Sequence, residues 1–189
     1  MGTTKGERRR QELVAAAAAL LRAGGFDAVR HRAVAERAGL PLAATTYYFA
    51  SLDDLVTAAV ERTGLDELAE GARQLAGMAG PVAPAVAAEL VLDLLLGPES
   101  RDGGLAAVLL RYERLVGAGR RPYLAASMRE MRVTLDAQLH AVLDRSGRAR
   151  DPTQLRDLVA LVDGAVISAL IEADPDPRSA AREVLLRSL

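Results

Sequence analysis

Residues 31–49 read HRAVAERAGLPLAATTYYF, and this stretch decides the fold. Residues 31–38 make a short helix with Val34, Ala35 and Ala38 spaced along it. Gly39-Leu40-Pro41 turns the chain, because glycine tolerates the left-handed backbone that ends a helix. Residues 42–48 form a second short helix. Two short helices joined by a tight glycine-containing turn have the helix-turn-helix shape. Such helices cross steeply, so the residue beneath the crossing must be small, and Ala35 is there. Val34, Ala38 and Leu40 are apolar where the pair must face a preceding helix. In this motif the second helix lies in the major groove of duplex DNA, its N-terminal part toward the base edges.

On either side the pattern stays helical, with no period-2 run enriched in β-branched residues. Upstream, residues 7–23 put Leu13, Ala16, Ala17, Leu20 and Leu21 on one face, and Gly24-Gly25 ends the helix. Downstream, Ser51 caps a helix with Asp54 three residues on, and Leu52, Leu55, Val56, Ala59 and Val60 form its apolar stripe. Helices follow at residues 82–96, 105–116 and 122–145, set apart by Gly/Pro punctuation at 77–84, 97–104 and 117–121. Asp151-Pro152 and Asp176-Pro177 each set a capping acid beside a first-turn proline, and so start an eighth and a ninth helix. The expected fold is all-α, with about nine helices. A three-helix head covers residues 1–50 and a larger helical body covers residues 51–189.

With 189 residues, 50% apolar and 26% charged, the chain is long enough to bury a core without staples. It has no cysteine, which excludes disulfides, a thiolate zinc site and a Cys nucleophile, and fits a reducing, cytoplasmic setting. Its two His argue against a His-rich metal site, and no metal or cofactor is expected. The net charge of −1 hides an asymmetry. Residues 1–50 carry eight Lys/Arg against four acids, leaving 16 against 21 on the rest. A basic first quarter on an acidic body suggests a nucleic-acid or membrane contact at that end.

No apolar run reaches the roughly 18 residues of a membrane span. Arg8-Arg9-Arg10 ahead of the apolar run Leu13–Leu21 imitates a secretory signal, but Gln11 and Glu12 interrupt it and the run is mostly weakly hydrophobic Ala. No membrane partner is expected.

The matching residues Ala16, Ala17, Leu20, Gly25-Phe26, Val34-Ala35, Ala38-Gly39-Leu40, Tyr48-Phe49, Ser51 and Leu55 make residues 7–60 resemble the TetR/AcrR family of transcriptional regulators. The resemblance implies a homodimeric repressor. Two heads would grip a palindromic operator in double-stranded DNA and let go when a small-molecule effector binds the body. It places Arg32, the second residue of the second helix, where the family often has a DNA-contacting basic residue; arginine can pair bidentately with guanine. Leu42, Ala43, Thr46 and Tyr47 fall on the groove-facing side of the third helix, while Tyr47 and Tyr48 carry hydroxyls that suit phosphate. Phe49 reads as core. Three positions depart from the family pattern. Arg30 stands where a capping Thr is usual, with His31 after it; Thr46 replaces a Tyr, and Leu52 replaces a Lys. Arg8, Arg9, Arg10 and Arg30 would supply the missing charge.

For the body the resemblance implies dimerisation through the last two helices. The eighth helix is apolar nearly all round, so no side of it is expected to face water. Leu158, Gly164, Ala165, Ser168 and Ala169 on it, with Val184 and Leu185 on the ninth, are the expected dimer interface. Polar or soft groups on apolar faces, Asp93, Tyr112, Met128, Met131 and Asp163, are the candidates for effector binding. With only six aromatics in the chain, an aliphatic or acyl effector is favoured over a flat one. An activator of the same fold is an open alternative. An enzyme is the rival from another class, but Asp93, Glu113, His140 and Asp163 carry no catalytic spacing, and no nucleotide-binding, Ser-elbow or zinc motif occurs. No catalytic residue is assigned. A membrane-surface protein using the Arg-rich first helix is the third reading.

Overall fold

The computed structural model describes residues 5–78 and 80–189. Ala79, inside the break expected at 77–84, lies outside the described residues. Among the described residues every regular element is helical. In chain order these are α1 (Lys5–Ala28), α2 (His31–Ala38), α3 (Leu42–Tyr48), α4 (Leu52–Ala76), α5 (Pro84–Leu96), α6 (Ser100–Gly119), a 3₁₀ turn (Pro122–Leu124), α7 (Ala125–Arg145), α8 (Pro152–Ile171) and α9 (Pro177–Ser188). Among these residues no helix is long and apolar enough to cross a membrane.

The expected caps form. The Ser51 hydroxyl accepts the Asp54 N–H at 3.0 Å. Asp151 accepts from the N–H groups of Thr153 and Gln154, and the Gln154 side chain accepts the Asp151 N–H in return. Asp176 accepts from the Ser179 N–H. Three helices differ from expectation. α1 breaks at Gly24-Gly25 as read, with Gly25 at φ 65, but resumes for one more turn to Ala28. α6 begins five residues early, because the Ser100 hydroxyl bonds the Gly97 carbonyl at 2.6 Å and starts a turn there. Gly104, at φ 51, interrupts that helix, and the Leu105 N–H then turns to the Pro175 carbonyl. The seventh helix starts as a 3₁₀ turn and becomes α-helical at Ala125.

The chain divides into two units. The first comprises residues 5–66 and 112–129, so the end of α6 and the start of α7 belong with the N-terminal helices. Its core holds Leu13, Val14, Ala17, Leu21, Val29, Val34, Leu55, Ala59 and Leu124, all buried. Each buried Leu or Val contributes about 1.5–3 kcal/mol.

The second unit comprises Glu67–Arg111 and Glu130–Leu189. Here α9 packs on α8 and α5. The apolar core is Val91, Leu92, Leu139, Leu143, Leu155, Val162, Val166, Ala181 and Leu185. Beside it lies a buried ionic cluster. The Arg178 guanidinium donates to the Ser100 hydroxyl (2.6 Å), to Glu89 (2.7 Å) and to Asp93 (2.9 Å), and Arg101 holds Asp93 from the other side at 2.7 Å. Arg182 adds a second contact to Glu89 at 2.6 Å.

Candidate nucleic-acid interface

Within the first unit, α2 packs on α1 and α3 packs on α2. Gly39 sits at φ 64, ψ 29, and its N–H reaches back to the Ala35 and Glu36 carbonyls. A side chain there would cost about 1–2 kcal/mol for the left-handed backbone alone. The Leu40 N–H also bonds the Ala35 carbonyl at 3.0 Å, which closes the turn. Val34 and Ala35 are buried beneath the crossing, as their size requires.

The same packing sorts α3 into two faces. Thr45 and Phe49 are buried, and the Thr45 hydroxyl is occupied by the Leu42 carbonyl at 2.8 Å. Leu42, Ala43, Thr46 and Tyr47 point outward, with Tyr47 81% exposed. This outward set is the one read as groove-facing from the sequence. Thr46 ties its hydroxyl to the Ala43 carbonyl at 3.2 Å, which leaves the methyl as its outward chemistry. Tyr48 is half-buried, its ring edge-on to Tyr47 at 4.9 Å. Its hydroxyl lies by α1, where a Cβ on Gly6 would stand 3.7 Å away. Phe49 takes the core position expected of it.

The arginines of α1 and α2 and the one before α2 are cations of this head. Arg32 is exposed and has no ion-pair partner among the described residues. Arg30 precedes α2 in an extended conformation and makes no side-chain cap, so the loss of the family's capping Thr is real. Arg30 instead lies 3.5 Å from Asp27, both exposed. A contact that the sequence reading missed places Arg10 of α1 over the Phe49 ring at 5.2 Å. Arg8 and Arg9 are exposed on α1. This arrangement offers an α-helix of groove-reading width, two tyrosines and a set of arginines, the elements for phosphate positioning and base readout.

The other assigned residues lie as follows. Tyr112 is buried and Met128 half-buried in the first unit, whereas Asp93, Met131 and Asp163 belong to the second. Asp93 is held within an ionic cluster. Arg178 and Arg101 already hold its two oxygens, so an effector reaching it would have to displace an arginine. The residues expected at the interface on α8 and α9 divide by burial in the single chain. Leu158, Ala169 and Leu185 are buried inside the second unit and have no side chain left to offer a partner. Ala165 and Val184 are half-buried, and only Gly164 and Ser168 face outward. In the single chain α8 leaves Leu161 (50%), Ile167 and Ile171 (79%) exposed. These three share a helical face with Gly164 and Ser168. Helical spacing from Gly164 would have found them.

Comparison with known proteins agrees with this geometry. Residues 13–59 match the family model described as bacterial regulatory proteins, tetR family, and residues 82–189 match the tetracyclin repressor-like C-terminal domain. Among solved structures, the multidrug binding protein EbrR complexed with proflavin is 34% identical, covering 96% of this chain and 99% of that one, at a TM-score of 0.67. A member of the TetR family from Streptomyces coelicolor A3 (SCO1917) is 34% identical, covering 96% of this chain and 98% of that one, with TM-score 0.63. A TetR transcription regulator from Haloarcula marismortui ATCC 43049, at 22% identity, 96% coverage of both chains and TM-score 0.65, shares the fold. No curated protein matches. The helix-turn-helix unit and the helical body define a DNA-binding transcriptional regulator. The chain belongs to the TetR family.

Proposed function

We propose that this regulator is a cytoplasmic, ligand-released repressor that grips a palindromic operator as a homodimer. The observation that carries the DNA reading is the outward face of α3, with Arg32 of the adjoining α2 exposed and, among the described residues, without an ion-pair partner. Arg32 would pair with a guanine edge, Leu42, Ala43 and the Thr46 methyl would meet thymine methyls, and Tyr47, Tyr48, Arg30 and the α1 arginines would hold phosphates.

The dimer reading rests on α8. Leu161, Ile167 and Ile171 form an exposed apolar stripe beside Gly164 and Ser168, where small side chains let a second helix approach closely. Such a stripe meets its own copy across a two-fold axis, with Ala165, Val184 and Leu186 at its margins. Leu158, Ala169 and Leu185 support it from beneath.

For the effector, the proflavin complex of EbrR favours a flat aromatic cation. Buried Tyr112 is the stacking candidate, with Met128 of the same unit as a further contact. The small number of aromatics supports an aliphatic ligand as the second reading. Release needs only that the effector bind the weakly gripping conformation better than the tight one. An activator would use the same contacts with the opposite sign of regulation. No enzymatic role is proposed.

The test is fluorescence anisotropy of a selected duplex at increasing salt. If each head neutralises ~3–4 phosphates, a dimer reaches ~6–8, and log K should fall against log salt with a slope near −6. A slope near zero would remove the phosphate-gripping head from the account. Proflavin added at fixed salt should lower the anisotropy.

A further inference from the structure

The segment 117–123, at the end of α6 and in the turn toward α7, touches both flanks of the reading motif within the first unit. On the side before α2, the Arg121 guanidinium lies over the Phe26 ring at 3.8 Å. Its NH1 also donates to the Gly117 carbonyl at 2.8 Å, so the cation is fixed above that ring. Gly117 closes on the same ring. A Cβ there would stand 2.9 and 3.0 Å from two Phe26 carbons, closer than side chains pack. On the side after α3, the Tyr123 hydroxyl lies beside the Asp53 carboxylate in the first turn of α4. Burial and then that negative charge push the Tyr123 phenol above its ordinary range.

Phe26 is the first side chain after the Gly24-Gly25 break. The chain then turns once, with the Val29 N–H on the Phe26 carbonyl at 3.2 Å, and enters α2. Glycine leaves the break conformationally permissive, so whatever holds Phe26 sets the direction of α2.

We propose that Gly117 and Arg121 are positioning residues for operator binding: together they clamp Phe26 and hold the reading helices in their DNA-gripping orientation. This rests on the DNA-binding reading above. Neither residue touches DNA in this account.

The experiment uses the full chain with Arg121→Ala, Gly117→Ala, Arg121→Lys and, as a charge control, the neighbouring exposed Arg120→Ala. Hydrogen exchange reads the backbone of residues 26–34, and anisotropy on the selected duplex reads the grip. Arg121→Ala and Gly117→Ala should speed exchange there and weaken binding about tenfold, between what an exposed and a desolvated cation–π contact supports. The slope against salt should match wild type. Arg121→Lys, which keeps a cation over the ring, should recover most of the loss, and Arg120→Ala should stay near wild type. Wild-type affinity in both clamp variants overturns the proposal, as does faster exchange with no loss of affinity. A slope shallower by about one unit in Arg121→Ala also overturns it, because Arg121 would then be a phosphate contact. If wild type binds no duplex, the DNA reading itself has failed. Exchange alone then decides the clamp: faster exchange in both variants supports it, and unchanged exchange overturns it.

Discussion

Arg178→Ala lowers the unfolding free energy by about 3 kcal/mol, the lower end of what breaking a buried ion pair costs. The side chain is almost wholly buried and serves Ser100, Glu89 and Asp93 together. Removing it leaves the Asp93 carboxylate, equally buried, facing Arg101 alone. Arg101 and Arg182 remain and keep the loss from reaching the upper end of ~5 kcal/mol. Urea unfolding checks this, and a midpoint equal to wild type would contradict it.

A pH dependence follows from the same cluster. Burial would raise the Glu89 carboxyl, but hydrogen bonds from Arg178 and Arg182 outweigh it and hold the group below its ordinary range. A carboxyl depressed in the folded state stabilises fully above its unfolded pKa and loses that contribution as pH falls through the folded one. Wild type should therefore lose stability on the acid side of the usual carboxylate range. Arg178→Ala should lose less there, having given up part of the interaction already.

Leu161→Asp together with Ile171→Asp should turn the protein into a folded monomer with weak operator binding. Both side chains are exposed in the single chain, so its fold tolerates the change. A two-fold axis repeats each substitution, so four apolar side chains leave the interface. At about 2 kcal/mol each, the dimer constant weakens by well over a thousandfold. Carboxylates meeting their own copies add repulsion. Sedimentation measures the association state, and an unchanged dimer would place the interface elsewhere. Leu158→Ala differs in kind: that side chain is buried, and its loss should destabilise the fold by about 2–5 kcal/mol.

What was legible in the sequence was local. Gly39 and Pro41 fix the turn between α2 and α3, and α2 ends and α3 begins where those residues say. Asp151-Pro152 and Asp176-Pro177 mark the starts of α8 and α9 for the same reason: a cap acts within three residues. The outward face of α3 was also readable, because Phe49 and the turn residues fix which side is buried. What was missed depends on distant parts of the chain. Arg178 reads as an ordinary surface arginine, since its partners lie 78 to 89 residues away. The contact between Phe26 and Arg121 has no local signal either. On α8, periodicity gives two apolar faces but not which one the rest of the unit covers. Burial of Leu158 and Ala169, and exposure of Leu161 and Ile171, follow from that cover.

The most direct measurement is selection of sites from a random duplex pool, with wild type beside Arg32→Ala. The expected result is an enriched palindrome whose half-site centres lie about one helical turn, or a multiple of one, apart. Arg32→Ala should lose about 1–3 kcal/mol at each half-site, enough to erase the enrichment. No enrichment at low salt from folded wild-type protein, or the same palindrome recovered equally by Arg32→Ala, would contradict this expectation.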